Sequence, residues 1–291
     1  MKRLAIITMV FNESDNLPRW LKYYSKQVDS LSDLYIIDHG STDCSTSFLD
    51  KKINLNRISR DKWKEDFERQ RSEYIASIAN LLLLFYHSII YVDCDEFIAV
   101  DPRLHASLAS FCEQIPPNRV ISTIGYNVLH DINNEKNLRY GEKISNMRTK
   151  LYLTTSMFKA SIVTTGAEVK WHDGFHFSNH IPIFLEVYLF HTRFADLRQG
   201  LKRLKLTRDL SDQPRLQMAQ HQRVSDIQHR EWIEGMLSCN KDVSDIGMKN
   251  LEIRGLIKSL KIEKTNDFYQ FPLNQSTNKI YNIPNYLRGT F

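Results

Sequence analysis

Cysteine is scarce in this chain of 291 residues: Cys44, Cys94, Cys112 and Cys239 stand far apart and form no CxxC pair. That spacing excludes a zinc ribbon and a thioredoxin-type dithiol, and it fits a reducing compartment. Glycine and proline are also few, at 10 and 8, which excludes collagen-like repeats and a long flexible linker. Long apolar runs are missing. The most apolar stretch, residues 75–91, is broken by Ser77, Asn80, His87 and Ser88 and falls short of the roughly 20 apolar residues that span a bilayer. The apolar segment after Lys2 and Arg3 soon reaches Asn12, Glu13 and Asp15, so it reads as a strand and no secretory leader is expected. The chain has no Walker loop, GxGxxG turn or GxSxG elbow, and His172 and His176 do not sit in an HExxH pattern. ATPase, dinucleotide, serine-hydrolase and zinc-protease chemistry are therefore disfavoured.

What is present is enough apolar residue, 42% of the chain, to build one large domain or two modest ones. Charge is uneven. The first hundred residues carry 13 basic and 15 acidic side chains, and the last hundred carry 17 and 11. Arg198, Lys202, Arg203, Lys205 and Arg208 follow one another with no acid between, as expected of a solvated helix face or of contact with an anionic membrane or acceptor. The acidic first half and the absence of an RNA-binding aromatic motif argue against nucleic acid.

Hydrophobic periodicity organises the chain. Residues 4–11, 34–38, 53–58 and 88–92 read as strands, with helices after Asp15, after Asp43 and over residues 67–84. Asp15 is expected to cap the first of these helices. Such alternation predicts an α/β fold with a mainly parallel, doubly wound sheet. A helix over 104–112 and strands near 120–125, 151–158, 162–165 and 184–190 come next, with mixed pairing at the sheet edge. Beyond residue 192 the pattern turns helical, over 197–208, 215–222 and 227–237, and the last 25 residues show no clear period.

Asp93 and Asp95 come directly after an apolar strand, where two carboxylates can converge beyond the carboxyl end of a sheet. Such a pair suits a hard cation, although two acids at this spacing also occur in ordinary solvated loops. Asp38 ends an earlier strand, and Asp43 lies just past a glycine-containing turn.

Three fragments carry a resemblance: Val10-Phe11-Asn12-Glu13; Ile36-Ile37-Asp38-His39-Gly40-Ser41-Thr42-Asp43; and Tyr91-Val92-Asp93-Cys94-Asp95-Glu96-Phe97. In this order they resemble motifs of family 2-like glycosyltransferases, the last being a DCDEF form of the DxD motif. The resemblance covers roughly residues 4–195. It implies a GT-A, nucleotide-diphospho-sugar transferase-like fold over 1–195; beyond it the residue pattern gives a helical basic extension over 196–264 and an irregular segment over 265–291 that is packed on the core or mobile. The resemblance also implies sugar transfer with inversion from a nucleotide-sugar donor, UDP-linked by preference, assisted by Mn2+ or Mg2+. The implied acceptor is a glycan or lipid-linked glycan of surface polysaccharide or lipopolysaccharide synthesis. The expected location is the cytoplasm, with peripheral contact at the inner face of the membrane as a further option.

By the same resemblance Asn12 and Glu13 lie near the nucleotide, Asp38 contacts base or ribose, Arg71 faces the nucleotide or phosphate, and Asp93 binds ribose or assists the metal through water. Asp95 is the principal metal ligand and His191 a later one; a structural role for His191 is equally open. His39 stands where the family has a second aspartate, facing either solvent or nucleotide. Asp173 is the candidate catalytic base, with Glu168 as an alternative and Trp171 as a sugar-stacking surface. A noncatalytic nucleotide- or glycan-binding protein that keeps the GT-A fold is the competing reading.

Overall fold

The computed structural model describes residues 3–60, 67–211, 224–242 and 245–291. Its strands are β1 (Leu4–Val10), β2 (Leu34–Asp38), β3 (Asn54–Arg57), β4 (Ser88–Tyr91), β5 (Glu96–Val100), β6 (Val120–Leu129), β7 (Lys150–Leu153), β8 (Ile162–Thr164), β9 (Ile183–His191), β10 (Asn240–Asp242), β11 (Glu263–Thr265), β12 (Phe268–Gln270) and β13 (Lys279–Asn282). The helices are α1 (Leu17–Tyr24), α2 (Phe67–Leu82), α3 (Leu108–Cys112), α4 (Ile144–Met147), α5 (Leu197–Ser211), α6 (Asp226–Leu237) and α7 (Leu251–Ser259). The helix expected over 215–222 lies outside the described residues.

β1 shows why the sheet is sandwiched between helices. Its side chains alternate, so Leu4, Ile6 and Val10 join Trp20, Tyr23 and Tyr24 of α1 in one core, while Ala5, Ile7 and Met9 join Ile75, Ala76 and Ala79 of α2 in another. A strand buried on both faces reads as a continuous apolar run, as β1 does. The sheet order is β10-β13-β7-β6-β8-β4-β1-β2-β3, with β9 beside β6 and β5 on β9. The half from β4 to β3 is parallel. Beyond β8 the pairing is mixed. The α/β architecture expected from the sequence, with its helical C-terminal region, is therefore present. No helix among the described residues is long and apolar enough to cross a membrane.

Two local expectations fail, and one strand goes unread. Asp15 does not cap α1: Asn16 holds that position, and Asp15 pairs with Lys202 at 2.5 Å. No helix forms after Asp43. Its carboxylate accepts from the backbone N–H groups of Ser45 and Ser14, and Cys44 is left-handed at φ 59°, so the segment closes as turns. β5 is absent from the sequence reading, because five residues behind an acidic motif offer too little pattern. Its register brings three polar side chains into line across neighbouring strands: Glu96 stands opposite His191 on β9, and His191 stands beside Asn127 on β6.

Candidate functional site

The parallel strands β1, β2 and β4 end at one cavity of about 1130 Å³, lined among others by Phe11, Glu13, His39, Asp93, Asp95 and His191. This is the position at which open α/β sheets bind ligands. Of the candidate residues, Glu13, His39, Arg71, Asp93, Asp95, Asp173 and His191 line it.

Asp95 and His191 form the first arrangement. The main-chain oxygen of Asp95 accepts from both the N–H and the hydroxyl of Thr192, at 2.9 and 2.8 Å. That contact fixes the turn beside β9. His191 Nδ1 lies 2.8 Å from Asn127 Oδ1. A carboxamide oxygen only accepts, so Nδ1 carries a proton and Nε2 is the nitrogen facing Asp95 Oδ2, 3.4 Å away; it donates to that carboxylate in the charged ring and would offer its lone pair to a cation in the neutral one. Burial pushes the Asp95 carboxyl up and the His191 imidazole more than reverses that, leaving it below the usual range. Two ligands at adjacent corners of an octahedron of metal–ligand bonds near 2.1 Å stand about 3 Å apart, so this pair fits a divalent cation. No group of three or more His, Cys, Asp or Glu side chains among the described residues is arranged to hold one. The remaining positions would fall to water and substrate phosphate, as is usual for Mg2+.

Asp93 is engaged differently. Its Oδ2 accepts from Lys159 Nζ at 2.9 Å, its Oδ1 accepts from the Tyr91 hydroxyl at 2.8 Å, and Arg71 Nη1 is 3.5 Å away. Burial works to raise this carboxyl, but Lys159 and Arg71 hold it well below the usual range. Lys159 also meets Glu96 Oε1 at 2.5 Å. Asp93 thus faces the cavity already paired with Lys159 and Arg71, which leaves Asp95 as the carboxylate less committed to cations of the protein.

The cavity lining also carries cations: Arg60, Arg71, Arg193 and Arg203. Arg60 lies over the Phe11 ring at 3.7 Å, and its pKa falls to about 10 through burial and the nearby Arg203. Gly40, at φ 74°, lets the β2 loop approach, since a Cβ there would stand 3.3 Å from that of Arg60. Arg203 reaches from α5 to the Phe11 carbonyl at 2.9 Å and to Glu13 at 2.9 Å. Burial raises Glu13 to about 7 against the pull of Arg203. Among the described residues, Arg60 Nε, Arg71 Nε and Arg193 Nη2 are buried with no hydrogen-bond partner. All three arginines line the cavity, and guanidinium groups gathered there are suited to an anion with several oxygens. His39 is buried and stacks on Phe67 at 5.2 Å. Burial and the cations Arg60 and Arg71 lower it to about 4, so it faces the cavity as a neutral ring.

Asp173 is exposed at the cavity wall. The turn that places it has two successive left-handed residues, Gly174 at φ 74° and Phe175 at φ 63°, which drive Phe175 into the core beneath Arg71, 5.0 Å from its guanidinium. Asn12 and Asp38 do not line the cavity. Asn12 Oδ1 accepts from Thr42 N at 2.7 Å, and Asp38 accepts from Ser41 N at 2.8 Å and the Thr46 hydroxyl at 2.9 Å. These two residues brace the loops that bring Phe11, Glu13 and His39 into place. Glu168 also lies elsewhere, exposed, with its main chain tied to Asn179. Trp171 is no sugar-stacking surface: it is 3% exposed, donates to the Ala160 carbonyl at 2.8 Å and packs on Phe175.

Sequence reasoning does not single out Arg60, Asn127, Lys159, Glu231 or Trp232, and it reads Arg203 as part of a surface patch. The signal for Arg203 is within reach: it lies on the same stretch as the apolar Leu201 and Leu204, so part of the basic face has to turn inward.

No family model matches the chain, and no curated protein matches it. Among solved structures, the chain is similar to S. aureus TarS 1–349 in complex with UDP-GlcNAc, at 13% identity over 76% of this chain and 69% of that one, with a TM-score of 0.38. It is also similar to the mannosyltransferase PcManGT from Pyrobaculum calidifontis in complex with GDP-Man and Mn2+, at 12% identity over 81% and 70%, with a TM-score of 0.34.

Proposed function

We propose that this chain is a GT-A-type glycosyltransferase. In this reading it moves a sugar from a nucleotide diphosphate, UDP by preference, to a hydroxyl of a glycan or lipid-linked glycan, with Mn2+ or Mg2+ as cofactor and inversion at the anomeric carbon. One observation carries the reading: the Asp95–His191 pair, 3.4 Å apart, shares a single cavity with Arg60, Arg193 and Arg203. That combination suits a diphosphate, an anion recognised by guanidinium forks and by a cation held on few protein ligands.

Asp95 and His191 Nε2 would hold the metal, which when bound offsets charge on the departing diphosphate. Arg60 and Arg193 add preorganised donors on the same anion. The acceptor oxygen bonds to the anomeric carbon as the bond from that carbon to the diphosphate oxygen breaks. The hydroxyl proton passes to a carboxylate on the acceptor side, for which Asp173 is the residue assigned. Asp93, committed to Lys159 and Tyr91, orients rather than ligates.

The test is transfer and donor hydrolysis across UDP-, GDP- and CMP-linked sugars, with and without EDTA. Asp95→Asn is expected to keep the fold and lower metal-dependent turnover by about 10²–10³-fold. Unchanged turnover in that variant overturns the metal assignment. Nucleotide binding without turnover on any donor would instead make the chain a binding module.

A further inference from the structure

α6 meets different surroundings on each of its sides. His229 and Ile233 are fully buried. His229 stacks on Phe194 at 5.1 Å between ring centres, and Phe194 meets the His191 ring edge-on at 6.3 Å. This packing docks the helix directly beside the proposed metal ligand. Arg230 and Glu234 point elsewhere and pair with each other at 3.4 Å. The third side carries Glu231, Trp232 and Gly235, with Cys239 just past the helix end, and all four line the cavity. At about 100° per residue these positions fall on one arc.

Trp232 is 40% exposed, whereas Trp20 and Trp171 lie in the core at 0% and 3%. Gly235, one turn on, has open space where a Cβ would stand among the described residues. A partly exposed indole lining a ligand cavity is a natural anchor, apolar in body and polar at its N–H. The cavity, at about 1130 Å³, is somewhat larger than the roughly 300–1,000 Å³ pockets that hold one drug-sized ligand, and this side of α6 lines it together with Asp95 and His191.

We propose that Trp232 is the stacking platform for a pyranose ring of the glycan acceptor, with the Glu231 carboxylate beside it accepting hydrogen bonds from the ring hydroxyls. A pyranose offers a C–H face to the indole and hydroxyls at its rim, the chemistry that this side of α6 complements. The choice of ligand rests on the glycosyl-transfer reading.

The experiment measures binding of maltotetraose, cellotetraose, mannotetraose and tri-N-acetylchitotriose to the full chain by saturation-transfer NMR and calorimetry. UDP and GDP, each with Mn2+, are titrated in parallel. At least one oligosaccharide is expected to bind. Trp232→Ala is expected to weaken that binding about tenfold or more, Trp232→Phe to recover most of it, and nucleotide affinity to stay within about twofold. Equal oligosaccharide affinity in Trp232→Ala, or no binding of any of the four, overturns the proposal. If Trp232-dependent sugar binding is found while neither nucleotide binds, the platform stands and the donor reading fails.

Discussion

Asn127 illustrates how much of this site depends on residues that touch no ligand. By accepting from His191 Nδ1 it orients the ring and fixes which nitrogen faces Asp95. Outer partners of this kind are typically worth 10–100-fold in metal affinity, so Asn127→Leu is expected to raise the Mn2+ concentration for half-maximal turnover by about that factor, read from activity titrations. Glu13 supplies a pH test. With its carboxyl at about 7, it is mostly neutral at pH 6 and mostly ionised at pH 8, so lowering the pH removes the counter-ion of Arg203. A nucleotide-diphosphate sugar, whose phosphates do not titrate in this range, is expected to bind about five- to tenfold tighter at pH 6 than at pH 8. Calorimetry on Glu13→Gln should show the tighter affinity at both. The acidic motif is legible because its members are adjacent in sequence. Asn127 and Lys159 are not: each meets its partner across more than sixty residues, and an isolated polar residue in a strand carries no local pattern.

At the scale of elements, α1, α2, α5 and the strands β1, β2 and β4 are readable from periodicity, because each buries a stripe or both faces. Short pieces escape: β5 is recognisable only from its partner β9. The basic side of α5 is legible as basic but not as divided. Arg203 enters the cavity, Lys202 holds Asp15 and Arg208 holds Asp226, while Arg198 and Lys205 are exposed. The approach of α5 to α6 depends on Gly200. A Cβ there would stand 2.5 Å from His229 Nε2 and 3.0 Å from the Arg193 carbonyl. Gly200→Ala is therefore expected to cost about 1–3 kcal/mol, seen as a lower melting temperature. Because the displaced neighbours include the main chain of Arg193, it should also weaken nucleotide binding. A variant that melts and binds as the parent does would show that this contact has slack.

Across the whole molecule, the site is held by strands drawn from both ends of the chain. β13 runs between β10 and β7 in the main sheet, and Phe291 stacks on Phe190 and Phe97 at 4.7 and 5.5 Å. Those two residues are partners in the β5–β9 register, each next to a site residue, His191 and Glu96. The Phe291 carbonyl accepts from both the N–H and the hydroxyl of Ser145, so the segment is pinned by polar contacts as well. Phe291→Ala is expected to cost about 3–5 kcal/mol. Deleting residues 279–291 removes a paired strand as well as the aromatic stack and is expected to abolish cooperative unfolding, monitored by circular dichroism. The two variants separate packing from function: Phe291→Ala should still fold at low temperature, and if the stack maintains the β5–β9 register, its Mn2+ requirement should rise with no ligand side chain altered. A Phe291→Ala protein with lower stability but an unchanged Mn2+ response would confine the C-terminal segment to stability and leave the register to the strands alone.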